Sequence, residues 1–362
     1  MRTHKIAAIP GDGIGIEVIN EGIRVLQVLA DRLGDFQIEL TSFPWGSDYY
    51  METGDMMARD GLEELKKFDA IYFGSAGDPR IPDHVSLWGL RLVICQSFDQ
   101  YANVRPARLL PGISCPLKDA SSNDIDWVIV RENTEGEYAG AGGRVHTGHP
   151  EEVGLDVSVF TRSGVERVQR FALDLARSRK RKRLTFVTKS NAQRHGMVMW
   201  DDVFDKLGSE YGDIEIDRML VDAMTTRMVL DPSSIDVVVA TNLHADILSD
   251  LAAALSGSMG IAPTANLNPS RNFPSMFEPI HGSAFDIMGK GIANPIGAFW
   301  SASMMLDHLG EKKAAAELML ALEKLTEDGR VMPQDLNGKA STREVTDRVL
   351  ELITGQNFSE ID

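Results

Sequence analysis

Short apolar runs alternate with stretches of helical periodicity along almost the whole chain. That alternation restricts the fold more than any other feature. Strands that each lead into an amphipathic helix build a largely parallel sheet covered on both faces, so the expected class is α/β. Lys5–Ile9 is a short apolar run closed by Pro10-Gly11. Residues 15–33 follow with Val18, Ile19, Ile23, Leu26, Leu29, Ala30 and Leu33 at helical spacing. Further strands are expected at Gln37–Phe43, Ala70–Phe73, Trp127–Val130, Val157–Phe160, Leu184–Val187, Ile214–Leu220 and Val237–Ala240. Helices are expected at 163–178, 243–255, 296–309, 312–327 and 342–353. Ser163-Gly-Val-Glu166 and Ser341-Thr-Arg-Glu344 fit the capping box, and Asn294-Pro295 fits an N-cap followed by proline at the first helical position.

A chain of 362 residues is long enough for two lobes around a cleft. Its formal net charge of -16 argues against general binding to nucleic acid or to an anionic membrane, while a few local cations would still hold a small anion. The dense basic run Arg177–Arg183 has no interleaved aromatics and reads as a solvated loop. Cys95 and Cys115 make no disulfide framework and suit a reducing cytoplasm. No signal peptide is expected, because the first apolar run ends at once in Pro10-Gly11. The uncharged stretch 251–270 is broken by Gly257, Gly260 and Pro263, which excludes a membrane span.

Chemistry-bearing residues cluster at strand ends. Ile9-Pro-Gly-Asp-Gly-Ile-Gly15 is a glycine-rich turn between strand and helix, but its spacing is not that of a dinucleotide fingerprint, and a plain tight turn explains it equally well. Asp246 and Asp250 are four apart on one helical face, a costly pair unless a cation sits between them. Asp222 also follows a strand, and three oxygen-only donors suit Mg²⁺ or Mn²⁺. The alternative is a pair of surface aspartates on a wet face. Arg105 and Arg131 offer guanidinium forks to carboxylates. Tyr138 and Lys189 are candidate proton carriers.

Taken in order, Ile9–Gly15, Tyr101–Pro106, Val130–Asn133, Thr188–Asn191, Val221–Ala223, Asn242–Asp250, Phe277–Ala284 and Gly289–Pro295 resemble the motifs of the β-decarboxylating dehydrogenases. That family includes isocitrate, isopropylmalate and tartrate/D-malate dehydrogenases. The resemblance implies a two-lobed fold that is not a Rossmann domain, with residues 1–100 plus 258–362 as the large cofactor-binding lobe and 101–257 as an inserted small lobe. It also implies a homodimer with shared sites. Asp246 and Asp250 of one subunit and Asp222 of the other would bind Mn²⁺ or Mg²⁺, with K⁺ as a further cation. Arg105 and Arg131 would hold substrate carboxylates, and Tyr138 and a partner-donated Lys189 would form the acid–base pair. Glu278, His281, Gly282, Asp286 and Asn294 would line the cofactor site. A carboxylate at Asp286 favours NAD over NADP.

One departure stands out. The family usually carries arginine where this chain has Cys95, and here Arg91 lies one turn earlier. Trp88, Arg91, Leu92 and Cys95 are spaced to share a helical face, which makes Arg91 a candidate substrate-binding cation. The expected activity is NAD-linked oxidation of tartrate- and D-malate-like 2-hydroxy dicarboxylates, followed or not by decarboxylation according to the substrate. Isopropylmalate oxidation is the alternative.

Overall fold

The computed structural model describes residues 1–118 and 120–355. Its strands are β1 (Arg2–Gly11), β2 (Phe36–Ser42), β3 (Ala70–Ser75), β4 (Ala102–Arg108), β5 (Asp126–Glu132), β6 (Gly136–Val145), β7 (Val153–Val159), β8 (Arg183–Thr188), β9 (Glu215–Leu220), β10 (Val237–Ala240), β11 (Pro263–Leu267) and β12 (Ser275–Pro279). Among the described residues, ten of them form one sheet in the order β2-β1-β3-β12-β11-β4-β5-β10-β8-β9. Pairing is parallel toward both edges and antiparallel at the centre, where β12, β11, β4 and β5 meet. Strands from residues 2–75 and 263–279 build one half, and strands from residues 102–240 build the other.

Both halves are covered on two faces. Helices Gly15–Leu33, Ile296–His308, Lys312–Asp328 and Thr342–Thr354 enclose one apolar layer, and Trp45, Met56, Leu90, Ile94 and Phe98 fill the layer opposite. On the other half, Arg162–Ser178 and Gly196–Gly208 cover one face, while Val221–Leu230 and Asn242–Leu255 cover the second. Such double cover explains why β3 and β10 are buried at every residue and read as unbroken apolar runs.

The expected helices agree with these bounds to within a residue or so, and the Ser341–Glu344 capping box is present. The other proposed box is corrected. Thr161, held by Glu135, accepts from Gly164 N at 3.0 Å, and the helix opens at Arg162, ahead of Ser163. At Asn294-Pro295 the helix begins at Ile296, whose N–H donates to Asn294 Oδ1 at 3.0 Å. The strand expected at Val157–Phe160 is Val153–Val159, which pairs with β6 as a separate two-stranded sheet. The shared helical face of Trp88, Arg91 and Cys95 is also corrected. Leu87–Arg91 forms a π-helical turn, and such turns recur at functional sites. It leaves Cys95 in the apolar layer beside Leu90 and Ile94 while Arg91 lines a cleft with Leu87.

The basic run is tied down. Arg177 pairs with Asp213, Arg179 with Asp236 and Asp126, and Arg183 with Glu215. No described helix is long and apolar enough to cross a membrane. Ser341→Ala removes one half of a reciprocal cap, so chemical denaturation should show a loss of about 1 kcal/mol. Adding Glu344→Ala should cost less than the sum of the two single changes, because both groups serve the same helix end.

Candidate active site

Arg105 on β4 and Arg131 at the end of β5 lie only 6% and 3% exposed. Antiparallel register sets Asn103 opposite Arg131, which brings the two guanidiniums to one end of the sheet centre. Both meet Asp246 in the first turns of Asn242–Leu255, a helix that Thr241 caps through His244 N. Arg105 Nη1 lies 3.2 Å from Asp246 Oδ1, and Arg131 Nη1 donates to the same oxygen. Each cation has further anchors. Arg105 Nη1 donates to Ser249 Oγ at 2.6 Å and its Nε to Asn103 Oδ1 at 2.8 Å, while Arg131 Nε donates to Asn242 Oδ1 at 2.9 Å. The Tyr138 ring packs on the Arg131 guanidinium, and its hydroxyl is 3.4 Å from Asp246 Oδ2.

These positions perturb one another. Burial, reinforced by the charge of Arg131, lowers Arg105 to about 9. Burial would raise the Asp246 carboxyl, but Arg131 and Arg105 outweigh it and hold it below the usual range. Burial and the Asp246 charge both push the Tyr138 hydroxyl up, which keeps its proton in place at neutral pH. Asp250, one turn further and more exposed, is pushed up by partial desolvation and by Asp246.

Beneath this cluster lies a polar floor that the sequence reading missed. Asn266 on β11 accepts from Asn103 Nδ2 at 2.6 Å, Asn133 Nδ2 at 3.0 Å and Arg91 Nη2 at 3.3 Å. Its own Nδ2 donates to Glu278 Oε1 at 2.7 Å. Arg91 Nε donates to both oxygens of Glu278, at 2.8 and 3.1 Å. Burial works against the Arg91 charge, but Glu278 overrides it and holds the guanidinium protonated. The one available signal was three asparagines within apolar strand surroundings, where an amide must find partners.

The expected cofactor residues divide. Glu278, His281 and Gly282 line the same cleft as Arg91, Arg105, Arg131, Tyr138 and Asp246. Burial lowers His281; its Nδ1 lies 3.0 Å from Gly282 O, and its buried Nε2 has no protein partner among the described residues. Asp286 is exposed on the turn that follows. Asn294 is buried, and its Nδ2 donates to Asp335 Oδ2 at 2.9 Å. The glycine-rich turn packs against this wall. A Cβ at Gly11, where φ is +68°, would stand 2.0 Å from Ser75 O, and Ile14 N donates to Ser283 O at 2.8 Å.

Lys189 and Asp222 stand apart from this cluster and bond each other, Nζ to Oδ1, at 2.5 Å. Among the described residues no three His, Cys, Asp or Glu side chains of one chain converge to hold a metal. The donors fit a hard divalent ion in kind, since Asp246 and Asp250 supply only oxygen and Asp250 lacks a full counter-charge. Within one chain, they fall short in number.

A doubly covered α/β sheet whose centre holds buried arginines, a protonated tyrosine and paired carboxylates defines an enzyme built around a small acid. Comparison with known proteins narrows the class. The family model Isocitrate/isopropylmalate dehydrogenase matches residues 5–349. A probable tartrate dehydrogenase/decarboxylase from Agrobacterium vitis is 64% identical over 358 residues, covering 99% of this chain and 100% of the relative. The D-malate dehydrogenase [decarboxylating] of Escherichia coli is 50% identical, covering 98% of this chain and 99% of its own. The tartrate dehydrogenase/decarboxylase of Pseudomonas putida is 49% identical, with 94% and 95% covered. The solved isocitrate dehydrogenase of Methylococcus capsulatus superposes with a TM-score of 0.86 at 34% identity, over 97% of this chain and 99% of that one. The chain belongs to the isocitrate/isopropylmalate dehydrogenase family and is an oxidoreductase acting on a CH–OH group.

The raised Asp250 carboxyl carries a linkage consequence. Its ionised form is disfavoured in the fold, so Asp250→Asn should stabilise the metal-free protein at pH 7, by under about 1 kcal/mol after solvent screening. The gain should fade as pH falls through the raised folded value and be gone below about 4, where the carboxyl is protonated folded or unfolded. Thermal melts in EDTA across pH measure this.

Proposed function

We propose that this chain carries out metal-dependent, NAD-linked oxidation of tartrate and D-malate-like 2-hydroxy dicarboxylates, with decarboxylation following where the substrate permits. The observation that carries this reading is the pair of buried arginines converging on one carboxylate beside Tyr138. Two such cations suit two carboxylates of a short acid, and the relatives named for tartrate and D-malate share nearly the whole chain. A cleft lined this heavily by charge disfavours the isopropyl group of the alternative substrate.

Dehydrogenases of this family work with NAD and a divalent metal. In this chain Asp246 and Asp250, with Asp222 of the partner subunit, would hold Mn²⁺ or Mg²⁺, and K⁺ is a further candidate. Glu278, His281, Gly282, Asp286 and Asn294 would line the NAD site, with the exposed Asp286 accepting from ribose hydroxyls and repelling a 2′-phosphate. When bound, the ion supplies Lewis acidity at the substrate hydroxyl and NAD accepts the hydride. The remaining tasks fall to side chains. Arg105 and Arg131 orient the two carboxylates. Lys189 of the partner subunit takes the hydroxyl proton. Tyr138, held protonated by its surroundings, returns a proton to carbon once CO₂ has left.

Sharing of the site between two copies has independent support. Ala141, Val145, Val153, Leu155 and Val157 lie on one face of the β6–β7 hairpin, and Leu155 is 61% exposed. A lone two-stranded hairpin with an uncovered apolar face is marginal in water, and a second copy would cover it. Residues 1–100 plus 258–362 then act as the large lobe and 101–257 as the small one, in keeping with the strand order. The two cysteines are free, as suits a cytoplasmic enzyme.

NADH formation with tartrate isomers, D-malate, isocitrate and 3-isopropylmalate tests the assignment. Tartrate and D-malate should turn over, and EDTA should abolish the signal; turnover that survives exhaustive chelation would refute the metal-dependent reading. Leu155→Asp should shift the protein to monomer by light scattering and lower kcat by at least about 10²-fold, the scale of losing one proton-transfer group. A fully active monomer would contradict the shared site.

A further inference from the structure

Tyr138 sits on a stretch of β6 where pairing with β7 lapses. Register pairs stop at Gly136↔Val159 and resume at Ala141↔Val157, which interrupts the ladder over residues 137–140. A backbone carbonyl in such a stretch needs another donor. For Tyr138 the donor comes from the other half of the molecule. Gln96 Nε2, on the helix Leu92–Ser97, donates to Tyr138 O at 3.0 Å. That helix belongs with β1 and β3, since Ile94 packs beside Ile9, Ile71 and Phe73. Two residues beyond Tyr138, Trp88 of the π-helical turn packs its six-membered ring on Gly140. A Cβ at Gly140, where φ is +73°, would stand 2.7 Å from Trp88 Cζ3 and 2.8 Å from Cη2, so the fit admits no side chain. The outer part of the tyrosine is held from its own half, with the Arg131 guanidinium 5.3 Å from the ring centre and Asp246 Oδ2 3.4 Å from the hydroxyl. Glu137 is held from that half too, accepting from Leu243 N at 3.4 Å and Ser158 Oγ at 3.3 Å. Tyr138 therefore spans the cleft, its main chain gripped from one half and its hydroxyl from the other.

We propose that Gln96 is a positioning residue for Tyr138. Its amide fixes the tyrosine main chain so that the hydroxyl meets the carbon that CO₂ has left, and Trp88 braces the same segment at Gly140. The inference rests on the activity proposed above and on the place of Tyr138 in it. Proton return breaks the phenol O–H bond and forms a C–H bond at the enolate carbon, and the phenolate regains its proton from water. Misplacing a reacting group by about 1 Å can cost on the order of 10²-fold in rate. A phenol ring turns about only two side-chain torsions, so its hydroxyl follows wherever the main chain goes. On the proposed activity Arg131 and Asp246 are engaged by substrate and ion, which leaves Gln96 and Trp88 to keep hold of the tyrosine. Because they reach it from the other half, the tyrosine is correctly placed at only one width of the cleft.

Gln96→Leu removes the donor and nearly keeps the volume. With D-malate its kcat should fall roughly tenfold while KM stays within about threefold, the pattern of a contact that acts after binding. D₂O should slow the variant more than it slows the wild-type enzyme, whereas deuterium at the oxidised carbon should not, because proton return and not hydride transfer then limits the rate. Gln96→Lys keeps a donor of similar reach and should recover most of kcat. In the ligand-free protein, hydrogen exchange over residues 137–140 should quicken in Gln96→Leu and not in Gln96→Lys. An unchanged kcat, a loss confined to KM, a larger effect of deuterium at the oxidised carbon, or unaltered exchange overturns the inference. If Gln96→Leu fails to fold, Trp88→Phe, which thins the brace on Gly140, should raise the D₂O effect in the same way, and an unchanged effect would overturn it. Absence of NADH from wild-type enzyme with both tartrate and D-malate would overturn the parent activity and this inference together, whereas normal turnover by Gln96→Leu removes this inference alone.

Discussion

Two guanidiniums buried on adjacent strands share the single carboxylate of Asp246, and the rest of the cleft follows from that arrangement. Burial lowers both guanidiniums, Arg131 adds to the effect on Arg105 and Arg91 to that on Arg131, and Asp246 opposes it at each. The site is therefore never electrostatically indifferent. Without ligand the protein supplies the anion itself. On the proposed function, the ligand's carboxylates would take over from Asp246 at the arginines and leave its oxygens free for a cation. Breaking a buried pair by removing one partner is costly, whereas exchanging one anion for another is not.

That balance depends on the antiparallel centre of an otherwise parallel sheet. β4 runs against β5 and β11, so strands from distant parts of the chain bring Asn103, Arg131 and Asn266 into direct register. An all-parallel sheet needs a crossover between each pair of strands, and its ends would gather loops in place of these side chains. Asparagine suits the junction because its amide donates and accepts at once. Asn266 takes hydrogen bonds from Asn103, Asn133 and Arg91 and gives one to Glu278, which joins all three arginines into one network through Asn103 and Arg105.

The parts of this structure legible in the sequence are those where burial has one consistent direction. β3 and β10 are sandwiched by helices, so their apolar runs announce themselves, and the amphipathic helices 15–33 and 312–328 do the same. β4, β11 and β12 were hidden because the site draws polar residues and prolines into strands that are nonetheless buried. The β6–β7 hairpin was obscured by glycines and by an apolar face left uncovered. Arg131 and Asp246 were found from residue type and their places at a strand end and on the helix after a strand, and Arg105 and Tyr138 from residue type and motif. The Arg91–Glu278 pair was not, because a π-helical turn resets the helical spacing by which Arg91 had been placed.

Lys189 and Asp222 form a separate pair. They bond each other at the far end of β8 and the start of Val221–Leu230, where neither touches Asp246, Tyr138 or the arginines. A lysine held by a carboxylate is an ordinary surface pair, worth little to stability. As half of a site it has a different meaning, because docking against a second Asp246–Asp250 face would bring a third carboxylate and a proton acceptor to a cluster that lacks both. The exposed apolar side chains Ile247, on that same helix, and Leu230, on the Asp222 helix, place uncovered surface beside each half. On the proposed dimer, burying that surface would supply the association energy that two separated pairs of charges cannot, and assembly and completion of the site would be one event.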